Sequence, residues 1–173
     1  QVGKRKQQEQ AKRDTGRDFW RGLLDTANQK TDLHAGTSPR AGPHVEAASA
    51  VPGISYVYWI NKNDGRVELW IDRGQDLGEE NRIIFSFLKN RKDEIEGAFG
   101  NALEWDEKSG ARSCSVRYRF DEAGYADEEK WPVLQEKMAD AMARLERALK
   151  PQLEDLRDRI ERSDWPESVG ESI

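Results

Sequence analysis

Residues 55–72, SYVYWINKNDGRVELWID, hold two runs rich in β-branched and aromatic residues joined by Asn61-Lys62-Asn63-Asp64-Gly65. Runs of that composition around an Asn/Asp/Gly cluster predict a β-hairpin. The second run alternates cleanly: Val67, Leu69 and Ile71 fall on one face, Glu68, Trp70 and Asp72 on the other, as the two-residue period of a half-buried strand requires. One face of the hairpin must therefore be covered, and the remaining segments are read by how they could cover it. A hydrophobic fraction of 36 %, with six Trp, five Phe and four Tyr in 173 residues, is enough for a real core.

Upstream, residues 1–14 carry Lys4, Arg5, Lys6, Lys12 and Arg13 among glutamines, which reads as a polar basic linker or the exposed end of a helix. A first amphipathic helix is expected from about Arg17 to Asn28, with Phe19, Trp20, Leu23, Leu24 and Ala27 as its apolar stripe. Residues 35–53 collect Gly36, Pro39, Gly42, Pro43, Pro52 and Gly53 and read as a loop of unusual length, functional or mobile. Downstream, Ile84, Leu88, Ile95 and Phe99 mark a second helix stopped by Gly100. Two strands, Ala102–Asp106 and Ala111–Phe120, turn at Ser109-Gly110.

A third helix begins near Trp131-Pro132, where proline suits the first turn. Its Met138, Met142, Leu145, Leu149, Leu153, Leu156 and Ile160 form a heptad-like seam longer than a four-stranded sheet can cover. Pro151 is expected to kink it, leaving residues 152–163 to project or pair. The fold class that follows is α+β: a four-stranded, largely antiparallel sheet with three main helices, mainly on one face, in the order α-β-β-α-β-β-α. Residues 1–14 are the linker, 15–150 the single domain and 151–173 a helix extension with a frayed tail.

Thirty-three acidic against 28 basic residues give a net charge of −5, so the whole molecule does not attract phosphate backbones and any nucleic-acid binding needs a local basic patch. A single cysteine, Cys114, excludes an internal disulfide, reads as a buried inert thiol and fits a cytoplasmic location. No run is long and apolar enough for a membrane span, and no signal-peptide pattern opens the chain. The first residue is Gln rather than Met, which predicts a fragment or processed product with an effector domain upstream.

Four segments, FWRGLLDTANQKTDL, GISYVYWINKNDGRVELWIDRG, NRIIFSFLKNRKDEIEGAFGNALEW and WPVLQEKMADAMARLERALKPQL, occur in register over Phe19 to Leu153. Together they resemble a family of prokaryotic C-terminal domains known only as domain of unknown function 4268. Members are often fused to nuclease-like N-terminal domains, so the resemblance implies an accessory module of a nucleic-acid-handling or defence-related protein. It brings no established activity and no catalytic residues.

The residues themselves offer three candidate sites. If Val57 and Trp59 join Val67, Leu69 and Ile71 in the core, then Tyr56, Tyr58, Trp70, Arg117 and Arg119 share the outward sheet face, an aromatic and arginine pattern that suits weak binding of single-stranded nucleic acid. The opposite face for the first strand would dissolve that group, and another element could cover it. The Gly36–Gly53 loop is expected to contribute, its GTSPRAGPH stretch offering backbone amides to an anion. Leu149, Leu153, Leu156 and Ile160 form a candidate interface for a homodimer or a protein partner. A metal-dependent nuclease would recruit Asp72, Glu104 and Lys108, but their spacing is poor. His34 and His44, without a cysteine partner, read as surface residues, and no metal or cofactor is expected. The leading expectation is a non-catalytic recognition domain, ahead of an assembly module and, as an outsider, the nuclease.

Overall fold

A computed structural model describes residues 1–107 and 112–166. Its elements are α1 (Val2–Ala27), β1 (His44–Ala48), β2 (Ile54–Ile60), β3 (Gly65–Ile71), α2 (Gly78–Lys89), α3 (Lys92–Phe99), β4 (Glu104–Asp106), β5 (Cys114–Phe120) and α4 (Trp131–Glu161), with a 3-10 turn at Glu128–Lys130. The fold is α+β, a five-stranded antiparallel sheet in the order β1-β2-β3-β5-β4. The two expected hairpins meet through β3 beside β5.

Two differences from the expected element order have clear causes. Strand β1 lies inside the Gly/Pro-rich stretch, where Ile60 N–H donates to the Pro43 carbonyl (2.8 Å) and Ser49 N–H to that of Ile54 (3.1 Å). The second helix is two helices, broken at Asn90-Arg91, while Gly100 ends α3 with a positive φ of 98° as expected of a helix stop. The proposed turn at Ser109-Gly110, and most of the tail from Ser163, lie outside the described residues.

The chain divides into two compact units: unit 1 comprises Gln1–Ala47, Val57–Val67 and Arg119–Ala143, and unit 2 comprises Ala48–Tyr56, Glu68–Tyr118 and Arg144–Ile173. In unit 1, α1 buries Phe19, Trp20, Leu23, Leu24 and Ala27. Its partner is the first half of α4, where Trp131 packs edge-on against Phe19 (5.4 Å) and Gln135 Nε2 donates to the Phe19 carbonyl (3.0 Å). The polar residues 1–14 are the exposed end of this helix.

In unit 2, Phe85 meets Trp105 and Phe99 meets Tyr118, placing α2 and α3 on the apolar side of β4 and β5. Trp105 pairs with Val116 across an antiparallel ladder. The second half of α4 is held here too. Asp155 bridges Arg91 and Arg159, and both guanidinium groups sit over the Phe87 ring, at 3.7 and 5.6 Å. Helix α4 continues through Pro151, and Gln152, Leu153 and Leu156 are buried, so residues 152–156 do not project as expected. Phe87 of α2 and Arg91, at the start of α3, are the residues that meet this half of α4, through Arg159 and Asp155.

Candidate functional site

The expected aromatic face is overturned by the placement of β2. A Cβ on Gly65 would press on Met138 Sδ at 2.9 Å, so Gly65 and Val67 look toward α4. Trp59 instead stacks with Arg66, the neighbour of Gly65 on the other face of β3, at 4.7 Å. Tyr58 therefore lies on the helix-covered side, and with it, by strand alternation, Tyr56. Tyr58 is 0 % and Tyr56 3 % exposed, so neither offers a ring for stacking. Burial pushes the Tyr56 phenol well above its ordinary value, reinforced by Glu146 and Glu154.

Trp70 is half-buried on the opposite side of β3 and Arg119 is exposed. Arg117 is spent within unit 2. It bonds Asp106 (2.6 Å) and Glu104 (3.2 Å). Desolvation works against its charge, but hydrogen bonds to Glu104 and Asp106 and the nearness of Asp106 and Glu68 outweigh it, holding its pKa above the usual arginine value. Glu68, expected to face outward, is fully buried.

The interface residues Leu149, Leu153 and Leu156 are buried within the chain, and Ile160 is half-buried, so the reason given for covering them with a second copy does not hold. Of the nuclease set, Asp72 is bound by Arg112 (2.7 Å) and Glu104 by Arg117, while Lys108 lies outside the described residues. Among the described residues no three His, Cys, Asp or Glu side chains stand where they could hold a metal ion. His34 is buried against Tyr58 (4.7 Å) and His44 half-buried on Trp59 (4.6 Å), not at the surface. Cys114 is buried as expected.

What the structure does assemble is a cleft in unit 1. Lys12, Arg13 and Gly16 of α1, Gly42 and Pro43, Ile60 of β2 and Tyr125 enclose about 220 Å³. Each wall is fixed locally. Trp20 Nε1 donates to the Gly42 carbonyl (2.9 Å), tying the loop to α1. The Tyr125 N–H donates to the Asn61 carbonyl (2.9 Å). Gly124 lets this approach happen, since a Cβ there would overlap Asn61 O, Lys62 C and Asn63 N of the β2–β3 turn.

The chemistry of this lining is simple: an apolar floor and two cationic side chains at the rim, with no acidic residue. Neither Lys12 nor Arg13 forms an ion pair among the described residues, and Lys4, Arg5 and Lys6 continue the charge along exposed helix. Asp14 is held by Arg17 and Gln10, which leaves Glu9 as the acid on that stretch. Of the Gly36–Gly53 stretch, Gly42 and Pro43 line the cleft. From sequence Lys12 and Arg13 read only as charges of the polar 1–14 segment, and Gly16 and Tyr125 carry no site signal.

No helix among the described residues is long and apolar enough to cross a membrane. No curated protein and no solved structure is similar enough to register as a match. A family model, Domain of unknown function (DUF4268), matches residues 15–153, which contain every wall of the cleft except the two cations at its rim. With that match spanning most of its length, the chain belongs to the DUF4268 family.

Proposed function

We propose that this chain is a non-catalytic recognition module, the accessory part of a larger prokaryotic protein that handles nucleic acid or serves in defence, with a nuclease-like effector upstream. It presents the first half of α1 and the adjoining cleft of unit 1 to an anionic partner. One observation carries the reading: Lys4, Arg5, Lys6, Lys12 and Arg13 lie on fully exposed helix without ion pairs among the described residues, and the last two rim an apolar cleft. Charges held this way contribute little to folding, and a cationic edge beside an apolar recess supplies both attraction and a place to lodge a group.

The test is retention on a heparin column at low salt. Retention is expected to fall sharply when Lys4, Arg5 and Lys6 are all changed to Glu, and to remain when Arg117 is changed to Glu in protein that is still folded. Loss in the Arg117 variant alone would move the binding surface to unit 2. Incubation with magnesium should leave DNA and RNA intact. Cleavage that disappears in Asp72→Ala would replace this reading with an enzyme.

A further inference from the structure

We infer that the unit 1 cleft seats one base of a single-stranded nucleic acid, with successive phosphates on Arg13, Lys12 and Arg5; this rests on the recognition reading above and names its partner. The first step is size. A volume of about 220 Å³ is smaller than the several hundred Å³ that enclose a whole small ligand, so only part of the occupant enters. The second is lining. Pro43, Ile60 and Tyr125 line it without an acidic side chain, which suits the flat face of a base. An aspartate or glutamate side chain has no comparable apolar body to leave there.

The third step is the direction of the charge. Arg5 and Lys12 are seven residues apart and share one helix face, about 10.5 Å along the axis. A shallow surface lined by Arg5, Gln8, Glu9, Ala11 and Lys12 continues from the cleft along that face. An occupant that leaves a base behind and carries its negative charge onward along α1 is a polymer of nucleotides. A duplex keeps its base faces stacked and cannot supply one.

Gly16 makes the cleft testable. It sits inside α1, where glycine is less favourable than alanine. A Cβ there would meet Gly42 O at 3.6 Å and Gly42 N at 3.7 Å, ordinary contact, so Gly16→Ala fits while a larger side chain extends into the recess.

The experiment measures anisotropy of a labelled thymidine hexamer, an abasic hexamer and a glutamate hexapeptide on the whole chain. The thymidine hexamer is expected to bind about tenfold tighter than the abasic one. Its affinity should fall with salt at a log–log slope of about −2, for three phosphate contacts. Gly16→Leu and Tyr125→Ala should each erase the tenfold difference, and Glu9→Gln should tighten both oligonucleotides. Equal affinity for the intact and abasic strands, or a difference untouched by Gly16→Leu and Tyr125→Ala, overturns the cleft assignment while leaving recognition of polyanions standing. Tighter binding of the glutamate peptide makes the partner an acidic protein and overturns the nucleic acid. Binding of none of the three removes both readings.

Discussion

Unit 2 and the first half of α1 in unit 1 both present arginine and lysine in quantity, yet use them differently. Elsewhere in unit 1, Lys30 and Lys137 are paired with Glu136 and Glu122. In unit 2, Arg73 reaches Glu80 and the Pro52 carbonyl, Arg91 and Arg159 share Asp155, Arg112 holds Asp72, Arg117 holds Glu104 and Asp106, and Arg144 caps the Phe99 carbonyl. Except for the local Arg159–Asp155 and Arg73–Glu80 pairs, these contacts connect segments distant in sequence, and the charge of the cations is spent. In unit 1 the cations of residues 4–13 reach no acid among the described residues. Counting basic residues along a sequence cannot separate the two uses. What separates them is whether a carboxylate lies within reach once the chain is folded.

The largest effect that would sharpen this contrast is in unit 2. Leu156 is fully buried, and Leu156→Asp is expected to unfold the chain or destabilise it by more than about 3 kcal/mol in urea titration. Lys12→Asp on the exposed helix should stay within about 0.5 kcal/mol. A stable, folded Leu156→Asp protein would put the seam back at the surface. Next comes Gly124→Ala, which forces a methyl into the backbone of the β2–β3 turn and should cost about 2 kcal/mol or more, with the Tyr125 wall displaced.

Arg117→Ala is expected to cost about 1–3 kcal/mol, because its side chain is only 12 % exposed and two carboxylates lose their partner. The pH dependence has a definite sign. Since the folded pKa lies above the ordinary arginine value, the contribution is complete throughout the neutral range and is lost only in strong alkali, so this loss on mutation should not change across the neutral range.

Tyr56→Phe is the smallest effect and the most specific. The folded phenol is raised above its ordinary 10.0, so on alkaline titration the unfolded chain loses that proton first and stability falls as pH passes 10.0. Urea midpoints of the Phe variant should match wild type at neutral pH and fall less between about pH 9 and pH 11. An identical alkaline decline in both proteins would mean that Tyr56 ionises freely, and therefore is not buried.

How much of this was legible depends on how one-sided each pattern is. In β3 Arg66, Glu68 and Trp70 alternate with Val67, Leu69 and Ile71, and the face of Val67, Leu69 and Ile71 lies inside as read. In β2 both parities are apolar or aromatic, Tyr56 and Tyr58 against Val57 and Trp59, so alternation alone gave no preference and the face was assigned the wrong way. The break between α2 and α3 was invisible because Ile84, Leu88, Ile95 and Phe99 keep helical spacing across Asn90-Arg91, with no glycine or proline to mark it. Strand β1 was hidden by glycines and prolines on both sides of a run of only five residues. The cleft was hidden for another reason: its walls come from residues 12–16, 42–43, 60 and 125, and only the fold brings them together.

The contrast between the units is tested most directly by backbone amide shift mapping of the labelled chain titrated with a thymidine hexamer at low salt. The predicted result is that shifts concentrate at residues 5–16, 42, 60 and 125, with β4, the Arg117 region of β5 and the second half of α4 unmoved. Shifts centred on Arg117, Trp70 and Glu104, with α1 silent, would contradict it and make unit 2 the binding surface.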